Sequence, residues 1–469
     1  MNDHSILLQI FSKQRENQYR VAGSDAEQRI AKLKKLRHYL LDHLNEACEA
    51  TRQDFSKPEA ETIIGELLVL ISEISYSIKN LKRWMRPERQ SVPLTMLGTS
   101  SHIQYEAKGC VLIIAPWNYP IALSLKPLVS AVSAGCVAII KPSEMTPHAS
   151  AFIRKVVENV FSIDEVAVID GDANISTELL KLPFNHIFFT GSPAVGKIVM
   201  KAAAENLTSV TLELGGKSPS IVDETADISQ TAKRIVWAKF FNNGQTCIAP
   251  DYVLVQESVS EKLVTEMKNA IRDMYNDSGN GIERSTSFAR IVNEKHFNRL
   301  SGLLDEASAQ GAIISEGGTR NASERYIAPT IMTEVTNGMR IMQEEIFGPI
   351  LPVLRFKNLS DAIDHVNAGE KPLALYIHSE NAANTDRILH STSSGNALVN
   401  EVLTQFGNTE IPFGGINNSG IGKSNGFYGF KEFSNAKGVM KRRFGTMKFL
   451  YPPYSERLVG LLKKGLKWI

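Results

Sequence analysis

The sequence predicts an α/β protein built around a parallel, doubly wound sheet, and three observations predict it. Five short apolar runs, VLIIA at 111–115, VAIIK at 137–141, VAVID at 166–170, HIFFT at 186–190 and SVTLEL at 209–214, are separated by helical stretches. The runs are apolar throughout rather than alternating, as strands covered on both faces are. The chain has 469 residues, 43% hydrophobic and 22% charged, which is the composition of a globular protein of two or three domains.

Taken in order, apolar residues from about 25 to 85 recur at helical spacing (Ile30, Leu33, Leu36, Leu40, then Leu67, Leu70, Ile71, Ile74), a helical lead-in. The stretch 87–106 is rich in Pro, Ser, Thr and Gly with β-prone pieces, and reads as a hairpin arm leaving the main body. The five strands follow, with helices expected after Pro120, over 147–160, in a short piece, and from 193 to about 205. A second α/β stretch runs from 218 to about 403, with a helix at 232–241 and strand YVLVQ at 252–256. The glycine-rich run 412–429 then leads toward the tail.

A net charge of +2 gives no reason to expect a nucleic acid partner. Cys48, Cys110, Cys136 and Cys247 form no CxxC pair, so neither a metal site nor a disulfide framework is expected, and a reducing compartment fits. The N-terminus lacks the pattern of a signal peptide, and no stretch reaches the roughly 18 apolar residues of a membrane span. A cytoplasmic protein is the expectation.

Five motifs carry chemistry. In FFTGSPAVGK at 188–197 a strand stops at Gly191 and a helix starts with Ser192 as N-cap, Pro193 at its first position and Gly196 in its first turn. Free N–H groups at a strand's carboxyl end suit a pyrophosphate. A P-loop is the competing reading, weakened because Ile198 stands where a hydroxyl should hold magnesium. Lys141 and Glu144 of KPSE follow a strand directly and suit the ribose hydroxyls of an adenosine, or make a polar turn. If they meet the ribose, the Glu144 charge favours NAD, with NADP left open by Lys141.

FNNGQTC at 241–247 runs a helix into glycine and delivers Cys247 to a polar loop, unlike Cys110 and Cys136 beside their apolar strands. That context points to a nucleophile, whose thiolate must be raised above its few per cent at neutral pH by nearby charges or dipoles. Glu213 closes the fifth strand before Gly215 and Gly216, either as a carboxylate beside a turn that lets backbone approach a ligand, or as a plain strand-to-turn exit with solvated charges. Asn118, in WNYP at 117–120, either caps the helix after Pro120 or donates to an oxyanion.

Together APWNYP, KPSE, FTGSPAVGK, ELGGKSP, GQTC, EEIFGP at 344–349 and PFGG at 412–415 resemble the aldehyde dehydrogenase superfamily, in its order over some three hundred residues. CIAPDYVLV, RYIAPT, QEEIFGPILP, KPLALY and YPPY at 451–454 are similar to its class-3 branch, which acts on medium-chain, fatty and aromatic aldehydes. One departure is visible: Lys423-Ser-Asn-Gly-Phe-Tyr-Gly stands where that branch has a Tyr-His-Gly stretch.

The resemblance implies a Rossmann-type dinucleotide domain from 1–86 and 107–214, a catalytic domain at 215–403, and a small β oligomerisation arm from 87–106 and 424–440. It implies a homodimer and a small-molecule aldehyde oxidised to its acid. Cys247 would be the nucleophile, with Asn118 and the Cys247 N–H as oxyanion donors; losing one such donor costs about 10²–10³ in rate. Glu213 would activate water against the thioester, while Glu345 holds the nicotinamide ribose with Phe347 packed beside it. A dehydrogenase that passes the acyl group to coenzyme A is the nearest alternative, and Glu213 argues for water.

The tail, 441–469, holds eight basic residues against the single acid Glu456. Leu458, Leu461, Leu462, Gly465, Leu466 and Ile469 follow helical spacing. Such a segment fits peripheral contact with an anionic membrane or packing on a partner subunit.

Overall fold

The computed structural model describes residues 3–93, 96–276, 279–448 and 451–468. All five expected strands form, in a six-stranded sheet ordered Gly420–Ile421, Ser209–Glu213, His186–Thr190, Cys110–Ile114, Val137–Lys141, Val166–Val168. Five are parallel and the Gly420–Ile421 edge is antiparallel. Alternate residues enter opposite cores: Val111, Ile113, Ala138 and Ile140 face one, Leu112, Ile114, Val137 and Ile139 the other. This double coverage is the physical reason the strands read as unbroken apolar runs.

The helical lead-in is observed as Ala26–Asp42, Leu44–Phe55 and Leu68–Trp84. Asp25 starts the first of these with a reciprocal capping box to Gln28, and Ile30, Leu33, Leu36 and Leu40 are buried along one face. Between Glu59–Thr62 and Leu68–Trp84 the chain makes one π-helical turn, Ile63–Leu67. A further helix, Asp3–Ala22, lies before the expected lead-in and docks through the Gln14 amide on the Ala138 carbonyl at 3.0 Å.

The second sheet has seven strands, ordered Ile313–Glu316, Thr330–Thr333, Ile350–Phe356, Tyr252–Gln256, Pro219–Val222, Ala374–His378, Asn396–Val399. It too is buried on both faces, Ile221 and Leu254 on one, Val222, Val253 and Val255 on the other. A third, antiparallel sheet joins Glu88–Gln90, Thr99–Ala107 and Ser434–Arg442. Leu94 and Thr95 of the expected 87–106 arm lie outside the described residues.

The expected arm segment 424–440 divides. Its strand starts only at Ser434, whereas helix Gly426–Glu432 belongs to the body. Phe430 and Phe433 are buried there with Trp84 and Phe188, and aromatic surface of that size cannot stay on an exposed ribbon. The tail forms helix Glu456–Gly465, capped by Ser455, with Leu461, Leu462 and Leu466 exposed; Ile469 lies outside the described residues.

Candidate active site

The expected nucleophile loop is a clamp of side chains on backbone. Helix Ile228–Phe240 ends in a tight turn at Phe241–Gly244 in which Asn242 and Asn243 take left-handed φ values of 54° and 57°, a conformation Asn tolerates. Gly244 has φ 70°, and a Cβ there would sit 2.3 Å from the Gly348 carbonyl oxygen. Gln245 holds the loop from both ends of its amide, donating to Arg290 O at 3.0 Å and accepting from Val292 N at 2.9 Å.

This loop meets the 117–120 segment. Asn118 Nδ2 donates to Gln245 O at 3.0 Å, Asn242 Nδ2 donates to Asn118 O at 2.9 Å, and the Tyr119 and Thr246 hydroxyls bond at 2.7 Å. Asn118 does not cap the helix Pro120–Ala134: Tyr119 is its N-cap residue and makes no capping bond with its own side chain. An amide NH₂ carries two hydrogens, so one donor of Asn118 remains beyond its bond to Gln245.

Three buried residues that the sequence reading missed brace this junction. Glu66, in the π turn, accepts from Lys57 Nζ at 2.8 Å and from the N–H groups of Ile121 and Ala122 at 2.8 and 3.1 Å. It thereby fixes the helix N-terminus that follows Asn118, where the helix dipole favours a carboxylate. Glu61 accepts from Asn242 N at 2.9 Å, and burial pushes it up to about 8. The available signal was periodicity: Glu66 lies one turn before Leu70 and two before Ile74, on the stripe that should be apolar.

Cys247 and Glu213 face one cavity of about 370 Å³. The π turn and the following helix supply Ile64, Gly65, Leu68 and Val69 to its wall, and Trp237, Phe241, Leu403 and Phe406 close it. Lys126 is the cation lining it, its Nζ donating to Phe406 O at 3.0 Å and Asn425 Oδ1 at 2.5 Å.

Glu213 is 6% exposed, which removes the reading of a solvated strand exit. Burial lifts it to about 8 against the opposing pull of a Ser424 hydrogen bond and of Lys423 and Lys126. The half-buried Cys247 departs from expectation. Burial, then the carboxylates of Glu345 and Glu213, push its thiol up to about 12, and the backbone N–H groups of Cys247 and Ile248 offset this only in part.

Glu345 lies against the ELGG turn: a Cβ on Gly215 would come within 2.2 Å of its Oε2, and the Gly216 N–H faces its carboxylate. Burial, reinforced by Asp251, lifts Glu345 to about 8. Asp251 also pins this turn, accepting from Ile346 N at 2.8 Å and pairing with Lys217. Phe347, at φ 49°, meets Trp117 edge-on at 5.4 Å between ring centroids.

The expected dinucleotide residues gather at the carboxyl ends of the first sheet. Lys141 Nζ pairs with Glu144 at 2.7 Å; the lysine is buried and the carboxylate reaches solvent. Gly191 N donates to Glu213 O at 3.0 Å, and Ser192 Oγ caps helix Pro193–Ala204 through Val195 N at 3.4 Å. A Cβ on Gly196 would meet Leu214 Cδ2 at 2.8 Å, so this glycine lets helix and strand pack closely. The capped helix N-terminus, the Lys141–Glu144 pair and the glycine turn beneath Glu345 are groups of the kind that could hold the pyrophosphate and riboses of NAD(P).

The aldehyde dehydrogenase family model matches residues 7–439. The 4,4'-diaponeurosporen-aldehyde dehydrogenase of Staphylococcus aureus is 43% identical over 434 residues, covering 92% of this chain and 93% of that protein. Aldehyde dehydrogenase family 3 member A2 of Pongo abelii is 41% identical over 436 residues, covering 92% and 88%. A solved structure of S. aureus AldH in a substrate-bound state matches with TM-score 0.93 and 40% identity, covering 99% of this chain and 100% of that one. Betaine aldehyde dehydrogenase from S. aureus in complex with NAD+ matches with TM-score 0.85 and 25% identity, covering 95% and 89%.

Proposed function

The chain belongs to the aldehyde dehydrogenase family, in its class-3 branch, and oxidises an aldehyde to the acid with NAD(P); from that premise we propose that Cys247, Asn118 and Glu213 carry the reaction through a thioester. The observation that carries the proposal is that Cys247 and Glu213 line one apolar cavity while Asn118 is tied to the loop that presents the cysteine.

The Cys247 thiolate attacks the aldehyde carbon and a C–S bond forms. The carbonyl oxygen becomes an oxyanion, held by the second Asn118 N–H and the Cys247 backbone N–H. NAD(P)⁺, when bound, supplies the hydride acceptor and a positive ring. Lys141 and Glu144 would hold its adenosine ribose, the turn from Gly191 to Ser192 and the packed helix at Gly196 its pyrophosphate, and Glu345 with Phe347 its nicotinamide ribose. Loss of hydride from the carbon leaves a thioester on Cys247. Glu213 then takes a proton from water as the oxygen attacks the thioester, the C–S bond breaks, and the acid departs. A group lifted to about 8 is a competent base near neutral pH.

Glu144 beside Lys141 favours NAD over NADP. The apolar wall of Ile64, Leu68, Val69, Trp237, Leu403 and Phe406 suits a medium- or long-chain aliphatic or an aromatic aldehyde. The test is an aldehyde panel of graded chain length, followed by NADH or NADPH absorbance, with Glu213→Gln alongside. The expected Glu213→Gln trace releases about one NADH per active site and stalls; undiminished turnover removes Glu213 from its role.

A homodimer through the arm is supported by its position outside both large sheets and by the exposed Leu97, Met440 and Phe444 on it or beside it. Analytical ultracentrifugation of the full chain reads this directly. Peripheral contact of a cytoplasmic enzyme with anionic membranes is supported by helix Glu456–Gly465, which exposes Leu461 and Leu462 beside Lys463 and Lys464. Among the described residues no helix is long and apolar enough to cross a membrane. Equal pelleting of full-length and tail-deleted protein with anionic liposomes ends the membrane reading.

A further inference from the structure

The stretch 423–426, where the sequence departs from the class-3 pattern, reaches the catalytic cavity, whose wall includes Ser424 and Asn425. Ser424 Oγ donates to Glu213 Oε1 at 3.0 Å, while Glu213 Oε2 is buried and without a hydrogen-bond partner. The Ser424 backbone is pinned on both sides, its N–H to Phe413 O at 2.6 Å and its carbonyl to Phe413 N at 3.1 Å. Lys423 Nζ donates to Gly414 O at 2.5 Å and Gly415 O at 3.0 Å. A Cβ on Gly414 would lie 3.1 Å from Glu213 Oε1 and 3.2 Å from Lys423 Cδ, so that lysine stem and the carboxyl flank one glycine. Asn425 accepts from Lys126, and Gly426 N donates to Glu73 Oε1 at 2.8 Å.

We infer that Ser424 is a positioning residue for the water-activating carboxylate: its hydroxyl holds Glu213 Oε1, leaving Oε2 free to take the proton from water. The inference rests on Glu213 being the base. In the step it serves, the water oxygen bonds to the thioester carbon, the proton passes to Oε2, and the sulfur leaves as thiolate.

The charges around Glu213 set the direction of its titration. Lys423 next to Ser424, Lys126 from the helix Pro120–Ala134 and the Ser424 hydroxyl favour the ionised form; burial, Glu432 on the helix Gly426–Glu432, and any thiolate on Cys247 oppose it. Without the hydroxyl the carboxyl ionises at higher pH. A charged hydrogen bond is worth about tenfold in that equilibrium, which moves the acid limb by about one pH unit.

The experiment follows NADH by stopped flow from pH 6 to 10 with full-length wild type, Ser424→Ala, Ser424→Thr and Glu213→Gln. Ser424→Ala is expected to keep a burst of about one NADH per site and an unchanged aldehyde KM. Its steady rate falls about tenfold at pH 7 and recovers by pH 10, and Ser424→Thr restores the wild-type profile. The burst itself reports a folded, acylating enzyme. A wild-type pH profile in Ser424→Ala, or an equal loss of burst and turnover at every pH, overturns the inference while a stalled Glu213→Gln leaves the base in place. Undiminished turnover in Glu213→Gln overturns both.

Discussion

Replacing Glu66 by alanine tests whether the lead-in helices hold the active site together or merely cover it. The side chain is fully buried and makes three contacts, one to Lys57 and two to the N–H groups of Ile121 and Ala122. Removing one partner of a buried pair costs about 3–5 kcal/mol, because the other charge is stranded. Each orphaned N–H adds about 1–3 kcal/mol, reduced where the helix relaxes. The loss of about 5 kcal/mol or more is comparable with the whole stability of a domain, about 5–15 kcal/mol. Urea unfolding should therefore shift strongly by tryptophan fluorescence, and activity should be lost at still lower urea, since Lys57 also stacks on Tyr119 at 4.0 Å and Tyr119 holds Thr246 beside Cys247. The paired change Lys57→Met with Glu66→Leu strands no charge and should unfold later than Glu66→Ala alone. A Glu66→Ala midpoint equal to wild type, or a double variant weaker than the single one, refutes the reasoning.

Two other outcomes follow from the site geometry. Without cofactor, alkylation of Cys247 by iodoacetamide should be slow at pH 7 and climb about tenfold per pH unit with no plateau below pH 11, because burial and then Glu345 and Glu213 hold the thiol up to about 12; a plateau near pH 8 contradicts that setting. Gly215→Ala drives a methyl into the Glu345 carboxylate at 2.2 Å, so NAD binding measured by calorimetry should weaken at least tenfold, about 1.4 kcal/mol, while the fold survives; an unchanged Kd separates Glu345 from the cofactor.

The strands were legible because burial on both faces writes itself into composition, residue after residue. The edge Gly420–Ile421 was not, since two residues inside a glycine-rich run carry no periodicity. The helix Asp3–Ala22 went unread because only Leu7, Phe11 and Val21 of its apolar residues are buried, too sparse a stripe among polar neighbours. At the site, Cys247, Asn118 and Glu213 stand out as residue types at motif positions, and those motifs do converge in space. What no motif shows is the electrostatic setting. The thiol was expected to be acidified by its neighbours, yet burial holds its proton in place, helped by Glu345 and Glu213, which are distant in sequence and negative when ionised. Glu61 and Glu66 were likewise hidden, because an acid in a helical stripe reads as surface until the partner that satisfies it is known.

The same apolar enclosure that suits a lipophilic aldehyde sets the protonation of the machinery around it. Glu61, Glu213 and Glu345 are each lifted from 4.5 to about 8, chiefly by burial, which corresponds to roughly 5 kcal/mol against each ionised form. Their folded-state values exceed the unfolded ones, so the folded protein binds the extra protons between about pH 4.5 and 8. Stability from these groups is full below that window and is lost as pH rises through it. Water activation by Glu213 runs the other way, because it requires the carboxylate. Rising pH therefore improves the base and weakens the scaffold through one physical cause. Each carboxyl has cations that oppose its burial, Lys423 and Lys126 beside Glu213, Lys57 beside Glu61, and Lys217 and Arg299 beside Glu345, so all three enter the same pH window. Glu61 accepts from the Asn242 N–H in the loop that carries the nucleophile, so the pH rise that creates the base at Glu213 also puts a charge against the loop that presents Cys247.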